Sequence, residues 1–79
     1  MVYILGMSES GNNVKASRRA LGMSQQALAE AAGVSRQTIA NIERGSYAPS
    51  VYLSLRIART LALTVETLFP LDANEGDPQ

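Results

Sequence analysis

The feature that most limits this chain is its punctuation. Residues that start helices alternate with residues that stop them at short intervals: Ser24 and Gly33, Ser35 and Gly45, Ser50 and the break near Ala62, Thr64 and Pro70. A Ser or Thr at a helix start lends its side-chain oxygen to a free backbone N–H of the first turn. Glycine ends a helix by entering the left-handed region at no steric cost, and proline cannot continue a regular helix. Segments bounded this closely can form only short helices. A long coiled coil is excluded, and stability has to come from packing several helices together.

Read in order, "SESGNN" is a polar loop, and Asn13 is expected to cap a helix through "VKASRRAL" to Gly22. Ser24 then caps "QQALAEAA", Ser35 caps "RQTIANIER", Ser50 caps "VYLSLRIARTLA" and Thr64 caps "VETLF". The expectation is an all-α fold of five short helices. Apolar residues recur on one side of each: Leu28, Ala31 and Ala32; Ile39 and Ile42; Leu53, Ile57 and Leu61 with Ala58 beside them. Leu68 and Phe69 are expected to close the core. Residues 1–12 read as an N-terminal arm, 13–71 as the domain and "DANEGDPQ", 72–79, as an acidic tail.

Composition narrows the function. The 79 residues contain neither cysteine nor histidine, which removes disulfides, thiolate chemistry and the commonest general base and zinc ligand. With no tight carboxylate pair either, nothing points to an enzyme, a metal or a cofactor. The apolar run "VYILGM" is too short to span a bilayer and lacks the flanks of a signal peptide, so a cytoplasmic protein without membrane contact is expected. Net charge is zero, but its distribution is uneven. Lys15, Arg18, Arg19, Arg36, Arg44, Arg56 and Arg59 face only Glu30 and Glu43 between residues 10 and 60, a local balance of +5. Such asymmetry fits either a polyanion site or a solvated surface.

The stretch "SQQALAEAAGVSRQTIANIERG" decides more. Two helices joined by a few residues around Gly33 must approach closely; Ala29 is small where they would collide, and Val34, Ile39 and Ile42 can fill the angle between them. Together with "YAPS", "LRIARTL" and "TVETLF", this stretch resembles the lambda-repressor-like helix-turn-helix family, the Cro or XRE type of transcriptional regulator, from about Asn13 to Phe69. The resemblance implies a compact five-helix DNA-binding domain whose third helix, residues 35–44, enters the major groove. It implies that Arg36, Gln37, Thr38 and Asn41 face bases, and that Gln25, Ser35, Arg44, Ser46 and Tyr47 contact phosphate. Arg18 and Glu43 match a pair that bridges the first and third helices in the family. The side-chain chemistry agrees, since arginine can donate twice to guanine and glutamine can pair bidentately with adenine. Three departures stand out. Ser17 replaces a large apolar residue, Ser46 stands where lysine is frequent, and Ala62 replaces a frequent glycine, implying a different end to the fourth helix.

The function implied is sequence-specific binding of double-stranded DNA by a repressor acting as a homodimer. A DNA-binding antitoxin that also captures a protein partner, and a protein–protein adaptor on the same scaffold, are the alternatives. Val2, Tyr3, Ile4 and Leu5 suit a dimer-forming arm, or else precede a native start at Met7. Leu55, Leu63, Val65 and Leu71 are the other candidate interface.

Overall fold

The computed structural model describes residues 11–71, so most of the expected arm and the whole acidic tail lie outside the described residues. Five helices follow one another: α1 (Val14–Ala20), α2 (Gln25–Ala32), α3 (Arg36–Arg44), α4 (Val51–Leu61) and α5 (Val65–Leu68). Their order and approximate limits are those the punctuation implies. Ser24, Ser35, Ser50 and Thr64 each accept a hydrogen bond from the backbone N–H three residues on, at 2.9 to 3.1 Å. Gly33 and Gly45 end α2 and α3 in the left-handed region, with φ of 78° and 80°.

The start of α1 departs from expectation. Asn13 occupies the cap position but makes no side-chain capping bond. Asn12 does that work instead, its Oδ1 accepting from Val14 N at 3.1 Å. Asn13 is committed elsewhere: its backbone N–H donates to Leu68 O and its Nδ2 to Thr67 O, both at 2.8 Å, which ties the head of α1 to α5. Asn12 is buried and belongs to the folded domain rather than to the arm.

Leu28, Ile39, Ile42, Ile57, Leu68 and Val14 are the largest fully buried side chains, drawn from all five helices. Met23, Val34, Leu53, Val65 and Phe69 pack against them partly buried. Fully burying a side chain of this size contributes about 1.5–3 kcal/mol, so this small group supplies most of the drive to fold. One assignment changes. Ala31 is exposed, whereas Ala29 is fully buried with Leu28 and Ala32. At 100° per residue Ala29 and Ala31 lie equally far, on opposite sides, from the direction midway between Leu28 and Ala32. The period does not choose between them, and the packing of α2 in the fold turns Ala29 inward.

Ala62 does not change how α4 ends. It adopts φ 59° and ψ 40°, the conformation a glycine would take, and its N–H closes on Ala58 O and Arg59 O. Leu63 N then donates to Ala58 O at 2.9 Å. Ala62 is the only non-glycine residue with positive φ among the described residues. A left-handed conformation costs an L-residue roughly 1–2 kcal/mol. Ala62→Gly relieves that strain but loosens the unfolded chain, by about 0.4–1 kcal/mol. The expected net result is a gain of up to about 1 kcal/mol in stability. Urea denaturation of the two proteins checks it; a lower midpoint would show that the strain here is smaller than the entropic cost of the glycine.

Candidate nucleic-acid interface

The site is built on the α2–α3 junction. Gly33 makes the turn, and Val34 N donates to Ala29 O at 3.0 Å, which folds the chain back under the end of α2. Ser35 then opens α3. Its Oγ accepts from Thr38 N, and the Ser35 and Thr38 hydroxyls lie 2.9 Å apart. Both hydroxyls are therefore engaged in forming the first turn. Ile39, Ala40 and Ile42 face the core, which leaves Arg36, Gln37 and Arg44 exposed and Asn41 half-buried. The exposed face of α3 is thus polar and cationic because its apolar residues are all used on the other side.

Beneath that face lies a buried ionic network. Arg18 Nε donates to Glu43 Oε2 at 2.7 Å and its Nη2 to Glu43 Oε1 at 3.3 Å. A third donor, Nη1, reaches Met23 O at 2.7 Å. The two side chains are only 9% and 3% exposed. Gln25 Nε2 adds a bond to Glu43 Oε1 at 3.0 Å. A carboxylate can only accept, so this contact fixes which end of the Gln25 amide faces inward. Gln25 Oε1 is left to accept from Arg36 Nη1 at 3.3 Å. A continuous chain thus runs from α1 through Glu43 and Gln25 to the first residue of α3.

A second chain lies along the outer face. Gln37 Nε2 donates to Asn41 Oδ1 at 3.1 Å, and Arg44 Nη2 donates to the same oxygen. Ser46 closes the end of α3, its Oγ and backbone N both donating to Asn41 O, at 3.2 and 3.0 Å. Tyr47 is 47% exposed and borders a groove with Pro49, Phe69 and Leu71. One positioning residue was not apparent from sequence. Asn12 Nδ2 donates to Ile42 O at 2.9 Å, securing the last turn of α3 from below. Its only signal was a second asparagine at the start of α1. Among the described residues no cluster of carboxylates could hold a metal ion, and no helix is long and apolar enough to cross a membrane.

The helix-turn-helix family model matches residues 14–68, from the start of α1 to the end of α5. The chain belongs to the helix-turn-helix family. It is a DNA-binding regulator of transcription, as its relatives agree. The HTH-type transcriptional regulator YgzD of Bacillus subtilis is 44% identical over 61 residues, covering 77% of this chain and 92% of that protein. An HTH-type regulator of Methanothermobacter thermautotrophicus is 47% identical over 60 residues, 75% of this chain and 87% of its own. Among solved structures, the restriction-modification controller protein C.AhdI of Aeromonas hydrophila superimposes with a TM-score of 0.70 at 32% identity. That match covers 76% of this helix-turn-helix protein and 91% of the controller. The clp gene regulator ClgR of Corynebacterium glutamicum gives a TM-score of 0.64 at 29% identity, over 66% of this chain and 55% of its own.

Proposed function

We propose that this regulator binds specific double-stranded DNA sites as a homodimer and represses transcription, with α3 lying in the major groove. The observation that carries the reading is the exposed face of α3, where Arg36 and Gln37 stand side by side at the helix start on a rigidly braced frame. In this reading Arg36 and Gln37 contact base edges, with Thr38 and Asn41 lining the same face. The N-terminus of a helix also favours a nearby phosphate through its free N–H groups and dipole. Gln25, Ser35, Arg44, Ser46 and Tyr47 hold the backbone around that helix. Arg18 and Glu43 brace it and touch no DNA. The reading assigns the chain no catalytic role and a cytoplasmic location.

The homodimer rests on a separate feature. Leu55 and Leu63 are 53% and 39% exposed, and they border a groove with Ala58 and Val65 on α4 and α5. Leu71 borders a different groove and is not part of that face.

Selection of bound sites from a pool of random duplexes, followed by titration over a range of salt, tests the reading. The expected product is a two-fold site whose half-site centres lie about 34 Å apart, one helical turn. Log affinity should fall linearly with log salt concentration, with a slope set by the number of phosphates contacted. Recovery of unrelated sequences with no common element would overturn sequence-specific recognition.

A further inference from the structure

We infer that Asn41 is a positioning residue that sets the polarity of the Gln37 amide, and so decides whether α3 accepts adenine or guanine at one base pair. The inference rests on α3 being the base-reading helix and deepens that assignment.

The argument starts from Arg44, whose guanidinium carries five donors and no acceptor. The Asn41 atom that meets Arg44 Nη2 must therefore be the carbonyl oxygen, Oδ1. Gln37 meets that same oxygen, so it must present its own nitrogen there, and it does so through Nε2 at 3.1 Å. The charged end of the chain thus dictates both amides in turn. Gln37 Oε1 is left on the outer edge, beside the remaining N–H of Nε2.

That edge has a definite pattern, one acceptor next to one donor. Adenine offers the complement in the major groove, an N6 donor beside an N7 acceptor. Guanine offers two acceptors, O6 and N7, and places one of them against Gln37 Oε1. An amide free to rotate by half a turn could present its two N–H groups and satisfy guanine as well. The rotation is blocked while Nε2 is held by Asn41. Discrimination between the two purines therefore comes from a side chain that does not itself touch the base.

The test compares the wild-type protein with Gln37→Ala, Asn41→Ala and Asn41→Asp on the selected site and on every single-base-pair change of it. The wild type should prefer adenine over guanine at one position per half-site by about tenfold or more. Gln37→Ala should remove that preference. Asn41→Ala should bring the two purines to within about threefold at the same position and leave the other positions unaltered. Asn41→Asp retains an acceptor for both Arg44 and Gln37, so it should keep the preference while binding all duplexes more weakly, through repulsion of phosphates. Retention of the adenine preference in Asn41→Ala would overturn the proposal. So would its loss in Asn41→Asp, or a change at a base pair that Gln37→Ala leaves alone, which would make Asn41 a reader in its own right. If Gln37→Ala itself keeps the full wild-type profile, the assignment of Gln37 as a base reader fails and this inference with it.

Discussion

Replacing Glu43 with leucine is expected to destabilise the domain by about 3–5 kcal/mol, the usual cost of stranding one partner of a buried ion pair. Glu43 accepts from two nitrogens of Arg18 and from Gln25, and its side chain is 3% exposed. Without it the Arg18 guanidinium, itself 9% exposed, has no counter-charge and little water. A domain of this length has a total stability of roughly 5 kcal/mol, so the variant should be largely unfolded at ambient temperature. Arg18→Met should be damaging for the same reason, because it leaves a buried carboxylate. The double variant should be far less damaged than the sum of the two, since a buried ion pair contributes little net stability over apolar residues of similar size. Recovery will be incomplete because Met23 O also loses its donor. Urea denaturation of the four proteins yields the coupling, expected to be at least about 1 kcal/mol. Near-zero coupling would mean that the two charges act independently. The position of Glu43 already argues against that, because an anion in the last turn of a helix opposes the helix dipole.

The second large effect concerns DNA. Arg36→Ala or Gln37→Ala is expected to cost about 1–3 kcal/mol on the best site and to flatten discrimination at one or two base pairs. The motive is their exposure at the start of α3, with Arg36 donating to Gln25 Oε1. In a homodimer the loss recurs in each half-site. Arg44→Ala should fail in another way, weakening binding to every duplex and lowering the salt slope by about one unit. Any change it makes in base preference should be confined to the base pair at which Gln37→Ala alters the preference, because Arg44 and Gln37 share the Asn41 oxygen. A substitution scan of the selected site, run with each variant, separates these outcomes. Wild-type preferences in both the Arg36 and Gln37 variants would exclude α3 as the reader.

The parts of the fold that could be read from sequence are those governed by neighbours along the chain. Ser24, Ser35, Ser50 and Thr64 cap helices because each finds its partner N–H three residues away, and Gly33 and Gly45 end helices for equally local reasons. The errors have distant causes. Asn12 and Asn13 are chemically alike, and the choice of cap between them depends on Thr67 O and Leu68 O taking Asn13. Alanine is indifferent to burial, so Ala31 and Ala29 could be ordered only by the actual rotation of α2. Ala62 follows a glycine path because the bonds to Ala58 O and Arg59 O, and the turn into α5, require it. In the site, the motif named the exposed residues of α3. It could not give their amide orientations, which follow from where Arg44 and Glu43 lie in space.

The tie between Asn13 and α5 has a consequence for how the protein is made. Asn13 enters the growing chain early, yet its two partners, Thr67 O and Leu68 O, are synthesised more than fifty residues later. The helix-turn-helix pair is complete by Gly45, and α4 can cover it soon after. The head of α1 must wait for nearly the whole domain to leave the ribosome. A nascent chain therefore carries the helix-turn-helix pair before it has the clasp that joins α1 to α5, and a product terminated before Thr67 never acquires that clasp.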